Sequence, residues 1–302
     1  MGVPYFQQDA VAENGWTVEV IAHRGASAYA PENTLAAFGL AHEMGADWFE
    51  LDCTLTRDGA IIVIHDDTVD RTTDGTGTVA ELSLAYLKQL DAGTWKDPKF
   101  AGEPLPTLDE SLTFAKDRIG VFIEIKDSAD DTEIKRQILA RAKTADLGSP
   151  AWRAEMAHLI AASGSRNYEL TLKTIETVRA LGMEDRVVIQ SFSPIVCAVA
   201  LAEAPEIRTE FLGEDTRESP ENWDQVIEWV TVLDPPGFNP NKRAMMLHRA
   251  KIGSIRDQGK SIRVWTIDGR RDMIQFGEWG VSGLITNRPD FCLSVLQENG
   301  LR

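Results

Sequence analysis

Short apolar runs rich in β-branched residues alternate along this chain with stretches whose apolar positions recur every three or four residues. The first run, Thr17 to His23, passes directly into the turn Arg24-Gly25, as a buried parallel strand would. Pro31-Glu32-Asn33-Thr34 then opens a helix in which Leu35, Phe38 and Ala41 share a face, with Gly45 as the stop signal. Trp48 to Cys53 reads as a strand, Arg57-Asp58-Gly59 as a turn and Ala60 to His65 as a second extended run, which together make a hairpin-like excursion. Further strands are predicted over Val121 to Lys126, Val187 to Phe192, Arg208 to Leu212, Ser261 to Ile267 and Gly283 to Thr286, with helical patterns between them. This alternation argues for a parallel α/β sheet, and the number of repeats suits a closed (β/α)8 TIM-type barrel better than an open sheet.

Two segments break the rhythm. Residues 66–106 are rich in turn signals, with Asp74-Gly75, Gly77, Gly93 and Asp97-Pro98, and only Ser83 to Leu90 reads as a short helix. This predicts a small insertion over one barrel mouth, after which Leu108 to Lys116 resumes helical spacing. Between Lys126 and Val187 lie about 60 residues, where one crossover helix needs far fewer. Thr132 to Ala145, Pro150 to Ala162 and Leu170 to Leu181 all read as helices, so 127–186 is an enlarged helical connection. An added pair packed on the outside is one reading of it; a lid or an oligomer contact is another.

The chain has 302 residues, a length that one α/β barrel domain spanning 1–302 can use in full. Asp and Glu number 47 against 31 Lys and Arg, a formal charge of −16, which opposes binding to nucleic acid or an anionic membrane. Cys53, Cys197 and Cys292 are widely spaced and odd in number, so neither a disulfide framework nor a zinc knuckle is expected, and a reducing compartment fits. Met1 to Gly15 carries Asp9 and Glu13 without an apolar run, unlike a secretory or transit leader. No segment reaches the roughly 20 apolar residues of a membrane helix. A cytoplasmic protein is expected; a homo-oligomer is compatible with the sequence but not readable from it.

Alternation along a strand puts Glu50 and Asp52 on one face of Trp48 to Cys53. Two carboxylates there are costly to bury without a cation or proton, so they indicate either a metal site or a half-exposed edge strand with its polar face in water. Glu124 and Lys126 repeat the device at the end of Val121 to Lys126, as metal ligand and partner or as a plain ion pair. Three such carboxylates suit a hard cation, Mg2+ or Ca2+, better than zinc. His23 and His65 each end an extended run, and barrel active sites collect at the carboxyl ends of strands. His42, His158 and His248 fall in helical patterns and read as surface or packing residues. The set offers a base, an acid and positive charge, the last from Arg24, Lys126 and a cation, which is what phosphodiester hydrolysis requires. No GxxxxGK[ST] loop or GxSxG elbow competes, and Gly75-Thr76-Gly77 lacks the third glycine of a dinucleotide loop.

At this point the sequence resembles the glycerophosphodiester phosphodiesterase family, in its bacterial cytoplasmic type. The matching text is His23-Arg24-Gly25, Pro31-Glu32-Asn33-Thr34, Glu50-Leu51-Asp52, Asp58-Gly59, His65-Asp66, Arg71-Thr72-Thr73, Leu105-Pro106-Thr107-Leu108, Glu124-Ile125-Lys126, Gln190-Ser191-Phe192, Val264-Trp265-Thr266 and Thr286-Asn287-Arg288-Pro289-Asp290, in family order from about Val20 to Asp290. The resemblance implies a TIM-type barrel with a small insertion after its second strand. It implies Glu50, Asp52 and Glu124 as ligands of one Mg2+ or Ca2+, His23 and His65 as the acid-base pair, and Arg24 and Lys126 as phosphate holders. Gln190 and Trp265 map onto positions that look toward the pocket. The implied products are sn-glycerol 3-phosphate and an alcohol, from small substrates such as glycerophosphocholine and glycerophosphoethanolamine. Longer lysolipid diesters, handled in the manner of a lysophospholipase D, are the alternative, and a non-catalytic phosphate binder is a third reading that the retained histidines and carboxylates oppose.

Two departures from the family pattern stand out. The closing motif often carries aspartate in its first variable position and before the arginine; here it reads Gly280-Val281-Ser282-Gly283-Leu284-Ile285-Thr286-Asn287-Arg288-Pro289. These sites lie at the last strand, away from the expected ligands, so the chemistry is expected to be untouched. The longer segment 127–186 follows the strand of Glu124 and could reshape the pocket, which bears on substrate range.

Overall fold

The computed structural model describes residues 17–216 and 222–302; the opening stretch Met1 to Gly15, read above as lacking a leader, lies outside them. The strands are β1 (Glu19–Ala22), β2 (Trp48–Leu55), β3 (Ile61–Val63), β4 (Gly120–Ile125), β5 (Val187–Ser191), β6 (Arg208–Gly213), β7 (Gly237–Pro240), β8 (Ser261–Val264) and β9 (Gly283–Thr286). All but β3 pair in parallel in the order β1-β9-β8-β7-β6-β5-β4-β2, and β1 also pairs with β2, closing an eight-stranded (β/α)8 barrel. β3 runs antiparallel to β2, with Cys53 opposite Val63 and Leu55 opposite Ile61, and so carries the chain out of the barrel as the hairpin-like pattern implied.

The strand β7 is not among those the sequence pattern predicts. Its four residues, Gly237-Phe238-Asn239-Pro240, hold no β-branched side chain and begin and end on residues that normally punctuate strands. All four are buried, and ladder pairing to β6 and β8 supplies what local propensity does not.

Around the barrel run α1 (Leu35–Glu43), α2 (Leu84–Leu87) and α3 (Leu108–Ala115), then α4 (Thr132–Ala142), α5 (Pro150–Ser163), α6 (Arg166–Leu181), α7 (Pro194–Glu203), α8 (Asn222–Leu233), α9 (Lys242–Leu247), α10 (Arg249–Arg256), α11 (Arg270–Glu278) and α12 (Pro289–Glu298). Their ends follow capping chemistry. Thr34 caps α1 by accepting from the Ala37 amide, Thr107 and Glu110 form a reciprocal capping box on α3, and Ser149 with Pro150 opens α5. In the long connection α4, α5 and α6 stand where one helix would do. The sequence of α7 is apolar all round and is buried from Pro194 to Leu201, which requires cover on its outer side. α5 supplies part of that cover: Trp152, Met156 and Ile160 are buried in the same cluster as Ile195 and Val199, and Trp152 Nε1 donates to the Val232 carbonyl at 3.0 Å. α5 therefore packs as an outer layer over α7.

The insertion between β3 and α3 has a small core of its own, built from Ile62, Ile64, Val69, Val79, Leu87, Leu90, Ala92 and Leu105. Strand alternation explains the unbroken apolar run at its start: Ile61 and Val63 face the barrel's outer layer while Ile62 and Ile64 face the insertion.

Inside the barrel the side chains lie in layers. At the amino-terminal end Glu19 and Glu210 share Arg263, with Arg263 Nη2 2.6 Å from Glu19 Oε2 and Nη1 bonded to Glu210 Oε1, while Arg208 Nε is 2.6 Å from Glu210 Oε1. Burial pushes the Glu210 carboxyl up, but Arg263 and Arg208 outweigh it and hold it at about 2. The middle layer is Ile21, Trp48, Phe122, Val188 and Ile285. Gly120 makes room for it, since a Cβ there would stand 2.1 Å from the Trp48 ring. The third layer, at the carboxyl ends of the strands, holds the polar residues that matter next.

Candidate active site

β2 delivers Glu50 and Asp52 to the carboxyl-terminal mouth, and the parallel register sets Asp52 beside Glu124 on β4 and Glu124 beside Gln190 on β5. Each of Glu50, Asp52 and Glu124 offers an oxygen within 4.8 Å of the others, and all three are buried. Burial, followed by the charges of Asp52 and Glu124, pushes the Glu50 carboxyl well above its ordinary value. Burial and Asp52 likewise raise Glu124 to about 7. For Asp52, burial is outweighed by Lys126 and Arg24, which hold the carboxyl below its usual range. Lys126 Nζ lies 2.8 Å from Glu124 Oε1 and 3.5 Å from Asp52 Oδ1, and Arg24 Nε lies 3.3 Å from Asp52 Oδ2. Two fixed cations thus face three buried carboxylates, and among the described residues Glu50 has only the Arg24 amide as a hydrogen-bond donor, at 2.8 Å. A divalent cation fits this arrangement: it would let all three ionise together.

The loop after β1 is bent to serve the site. Arg24 (φ 56°) and Gly25 (φ 79°) are both left-handed, and a Cβ on Gly25 would lie 2.7 Å from the Ala37 backbone, so α1 can approach only a glycine. Asn33, also left-handed at φ 59°, donates to Asp52 Oδ2 at 2.8 Å and accepts from the Asp52 amide at 3.2 Å. Left-handed non-glycine residues cost energy and persist where surroundings over-determine them. Arg24 Nη1 reaches Glu32 at 2.9 Å, and Arg24 Nε is buried and, among the described residues, has no hydrogen bond, its nearest acceptor being Asp52 Oδ2 of the carboxylate cluster at 3.3 Å.

Both strand-end histidines belong to this mouth. His23 follows β1, and Asp52 is among the charges that act on it; burial and then Arg24 lower its imidazole to about 4. His65 follows β3, and its charge acts in turn on Asp52. Their Nδ1 atoms have different partners. His65 Nδ1 lies 2.6 Å from Asp66 Oδ1, and Asp66 is gripped by Arg71, which also spans to Glu32. His23 Nδ1 lies 2.7 Å from the side-chain oxygen of Asn287. The departure at Asn287 is therefore in contact with a candidate catalytic group, contrary to the expectation that the last strand is remote from the chemistry: barrel closure brings β9 against β1.

Gln190 is buried beside Glu124 and accepts from Asn239 Nδ2 at 3.0 Å. Trp265, half-buried after β8, donates from Nε1 to the Asn239 carbonyl at 2.8 Å and packs edge-on to Phe192 at 5.3 Å between centroids. The other histidines are elsewhere: His42 and His158 are exposed on α1 and α5. His248 sits at a bend between α9 and α10, stacked on Trp223 and 2.6 Å from Asp215, so it packs without being inside a helix as its pattern suggested.

The profile of the glycerophosphoryl diester phosphodiesterase family matches residues 23–291. The chain belongs to that family. It is 31% identical over 281 residues to a glycerophosphodiester phosphodiesterase of Caldanaerobacter subterraneus, covering 93% of this chain and 98% of the relative. Among solved structures it resembles an Oleispira antarctica phosphodiesterase in complex with the product sn-glycerol 3-phosphate, with a TM-score of 0.73, 26% identity and coverage of 93% and 97% of the two chains. The glycerophosphodiester phosphodiesterase of Agrobacterium tumefaciens is similar at a TM-score of 0.66, 30% identity and coverage of 92% and 100%. Membership of this family makes the chain a phosphoric diester hydrolase. Among the described residues, no helix is long and apolar enough to cross a membrane.

Proposed function

We propose that the chain hydrolyses small glycerophosphodiesters, such as glycerophosphocholine and glycerophosphoethanolamine, to sn-glycerol 3-phosphate and a free alcohol. The observation that carries this reading is the three-carboxylate cluster within 4.8 Å flanked by both strand-end histidines: the Arg24 amide, next to His23, donates to Glu50 at 2.8 Å, and the Ile64 amide, next to His65, donates to the Asp52 carbonyl at 3.0 Å. The product held by the Oleispira antarctica neighbour supports the substrate class. Glu50, Asp52 and Glu124 would hold one divalent cation, Mg2+ or Ca2+, and their oxygen-only donor set fits either. When bound, that cation supplies positive charge against the phosphate oxygens as negative charge develops on them.

The chain's own residues supply the rest. Arg24 and Lys126, the two cations beside the carboxylate cluster, would bind the phosphate and steer an anion into a protein of net charge −16. His23, which burial and Arg24 hold low in proton affinity, takes the proton of the neighbouring glycerol hydroxyl as it attacks phosphorus and the alcohol leaves, and water then opens the resulting cyclic phosphate to glycerol 3-phosphate. His65, its Nδ1 held by Asp66, gives a proton to the leaving alcohol. Trp265, half-buried after β8, would stand beside the alcohol or head group, and Gln190, buried beside Glu124, would support the cluster from below. One catalytic domain, 1–302, carries the reaction. The three cysteines are free and buried, which agrees with a reducing cytoplasmic setting.

The test is release of glycerol 3-phosphate from glycerophosphocholine by metal-stripped protein, with Mg2+ or Ca2+ added back, beside His23→Ala and Glu50→Ala. Activity restored by one cation and lost in both variants supports the reading and names the cation. Turnover of lysophosphatidylcholine alone would replace the substrate class, and no turnover of any diester would overturn catalysis.

A further inference from the structure

The residue that touches His23 is itself held by a longer chain of hydrogen bonds. Asn287 Nδ2 lies 2.7 Å from Asp268 Oδ2, and the Asn287 amide donates to Asp268 Oδ1 at 2.8 Å. Thr286 Oγ1 adds a third bond to Asp268 Oδ1 at 2.9 Å. On its other side Asn287 Oδ1 is 2.7 Å from His23 Nδ1 and 2.8 Å from Ser27 Oγ.

Donor and acceptor rules leave one pattern. An ionised carboxylate only accepts, so the Asn287 side chain must turn its NH2 toward Asp268 and its oxygen toward His23. An amide oxygen also only accepts, so His23 Nδ1 must carry a hydrogen. The ring's lone pair is then on Nε2, the atom able to take a proton. We propose that Asp268 and Asn287 are positioning residues that hold His23 in its Nδ1–H tautomer, with Asp268 acting through Asn287. This rests on the reading of His23 as a proton-transfer group. His65 reaches the same tautomer by direct contact with Asp66. The two histidines are thus oriented by different groups, an amide and a carboxylate.

Asp268→Asn should turn the whole chain of bonds over. The amide introduced there would keep its oxygen toward Thr286 Oγ1 and the Asn287 backbone N–H, leaving its NH2 facing the NH2 of Asn287. The Asn287 side chain would turn over, present its NH2 to His23 Nδ1 and drive the ring to the Nε2–H tautomer. Ser27 accommodates that state: in the native pattern its one hydroxyl hydrogen faces two acceptors, the His23 carbonyl at 2.7 Å and Asn287 Oδ1 at 2.8 Å, whereas after the turn it can donate to the carbonyl and accept from Asn287. Exchanging the pair in Asp268→Asn/Asn287→Asp restores an acceptor opposite His23 and with it the original tautomer.

The experiment is long-range 1H–15N spectroscopy of the full chain labelled with 15N-histidine, His23 being assigned by its loss in His23→Gln, together with kcat and KM on glycerophosphocholine. Expected are a protonated Nδ1 in the native protein, a protonated Nε2 in Asp268→Asn and a return to Nδ1 in the exchanged pair. An Asp→Asn change that inverts the tautomer of a catalytic histidine costs roughly 10⁴-fold in kcat, so a loss of about 10²- to 10⁴-fold is expected, with KM held within about threefold and kcat partly recovered in the exchanged pair. A native Nε2–H tautomer, or an Asp268→Asn protein that keeps Nδ1–H, overturns the proposal. The native spectrum decides it even if a variant fails to fold, and the tautomer is read without turnover, so failure of the substrate reading shows separately.

Discussion

Glu124→Gln should shift the stability of the metal-free protein in the variant's favour as pH rises, while removing its response to a cation. Burial and the neighbouring charge of Asp52 hold the Glu124 carboxyl at about 7, against an ordinary 4.5. At about 1.4 kcal/mol for each tenfold change in proton affinity, that difference is on the order of 3 kcal/mol. The folded protein holds this proton more tightly than the unfolded chain does. The associated stability is therefore fully present below about pH 4.5 and is lost as pH rises through about 7. Glu50 pushes in the same direction, since burial, Asp52 and Glu124 raise it too. His23 opposes them: burial and Arg24 hold it at about 4 against 6.5, so its stability is lost as pH falls between those values. The readout is accordingly the difference in urea-unfolding free energy between Glu124→Gln and native protein, in which His23 cancels. Without metal, that difference should move in favour of the variant by on the order of 3 kcal/mol between about pH 5 and about pH 8. With saturating Mg2+ or Ca2+ the difference should move back in favour of the native protein, because a bound cation stabilises only the state that binds it. A difference that does not change with pH, or a cation that stabilises both proteins equally, would refute the view that these carboxylates are assembled for a metal.

Three further outcomes follow from the geometry. Asn33→Ala removes both bonds between Asn33 and Asp52 and should weaken cation binding by about 10- to 100-fold in calorimetric titration, with the fold retained by circular dichroism. Asp66→Asn places an amide donor against either His65 Nδ1 or Arg71, and kcat should fall by roughly 10²-fold or more with little change in KM, as measured in steady-state assays. Trp152→Ala opens the contact between α5 and the barrel's helical layer; it should cost about 3–5 kcal/mol in urea unfolding and leave kcat per folded molecule within about twofold.

Much of the molecule is written locally. Strand-to-helix alternation, the caps at Thr34, Thr107 and Ser149, and the paired acids on single strands all follow from period and side-chain chemistry within a few residues. That is why the barrel and the hairpin of β2 and β3 could be picked out from residue order alone, and why His23, His65, Glu50, Asp52 and Glu124 could be named from it as candidates. The all-apolar text of α7 requires that something cover it, although only the fold shows that α5 does so. What residue order could not carry were relations between elements distant in the chain. β7 has no strand-like composition and exists because β6 and β8 leave backbone groups that a buried segment must satisfy. The ion network of Glu19, Glu210 and Arg263 forms only where strands meet inside a closed barrel. Asn287 looked peripheral because it lies 264 positions from His23; closure places β9 beside β1 and leaves the two side chains 2.7 Å apart. Local propensity and alternation act over a few residues and can be read along the chain. Which donor faces which acceptor depends on strand register and ring closure, which only the packed barrel decides.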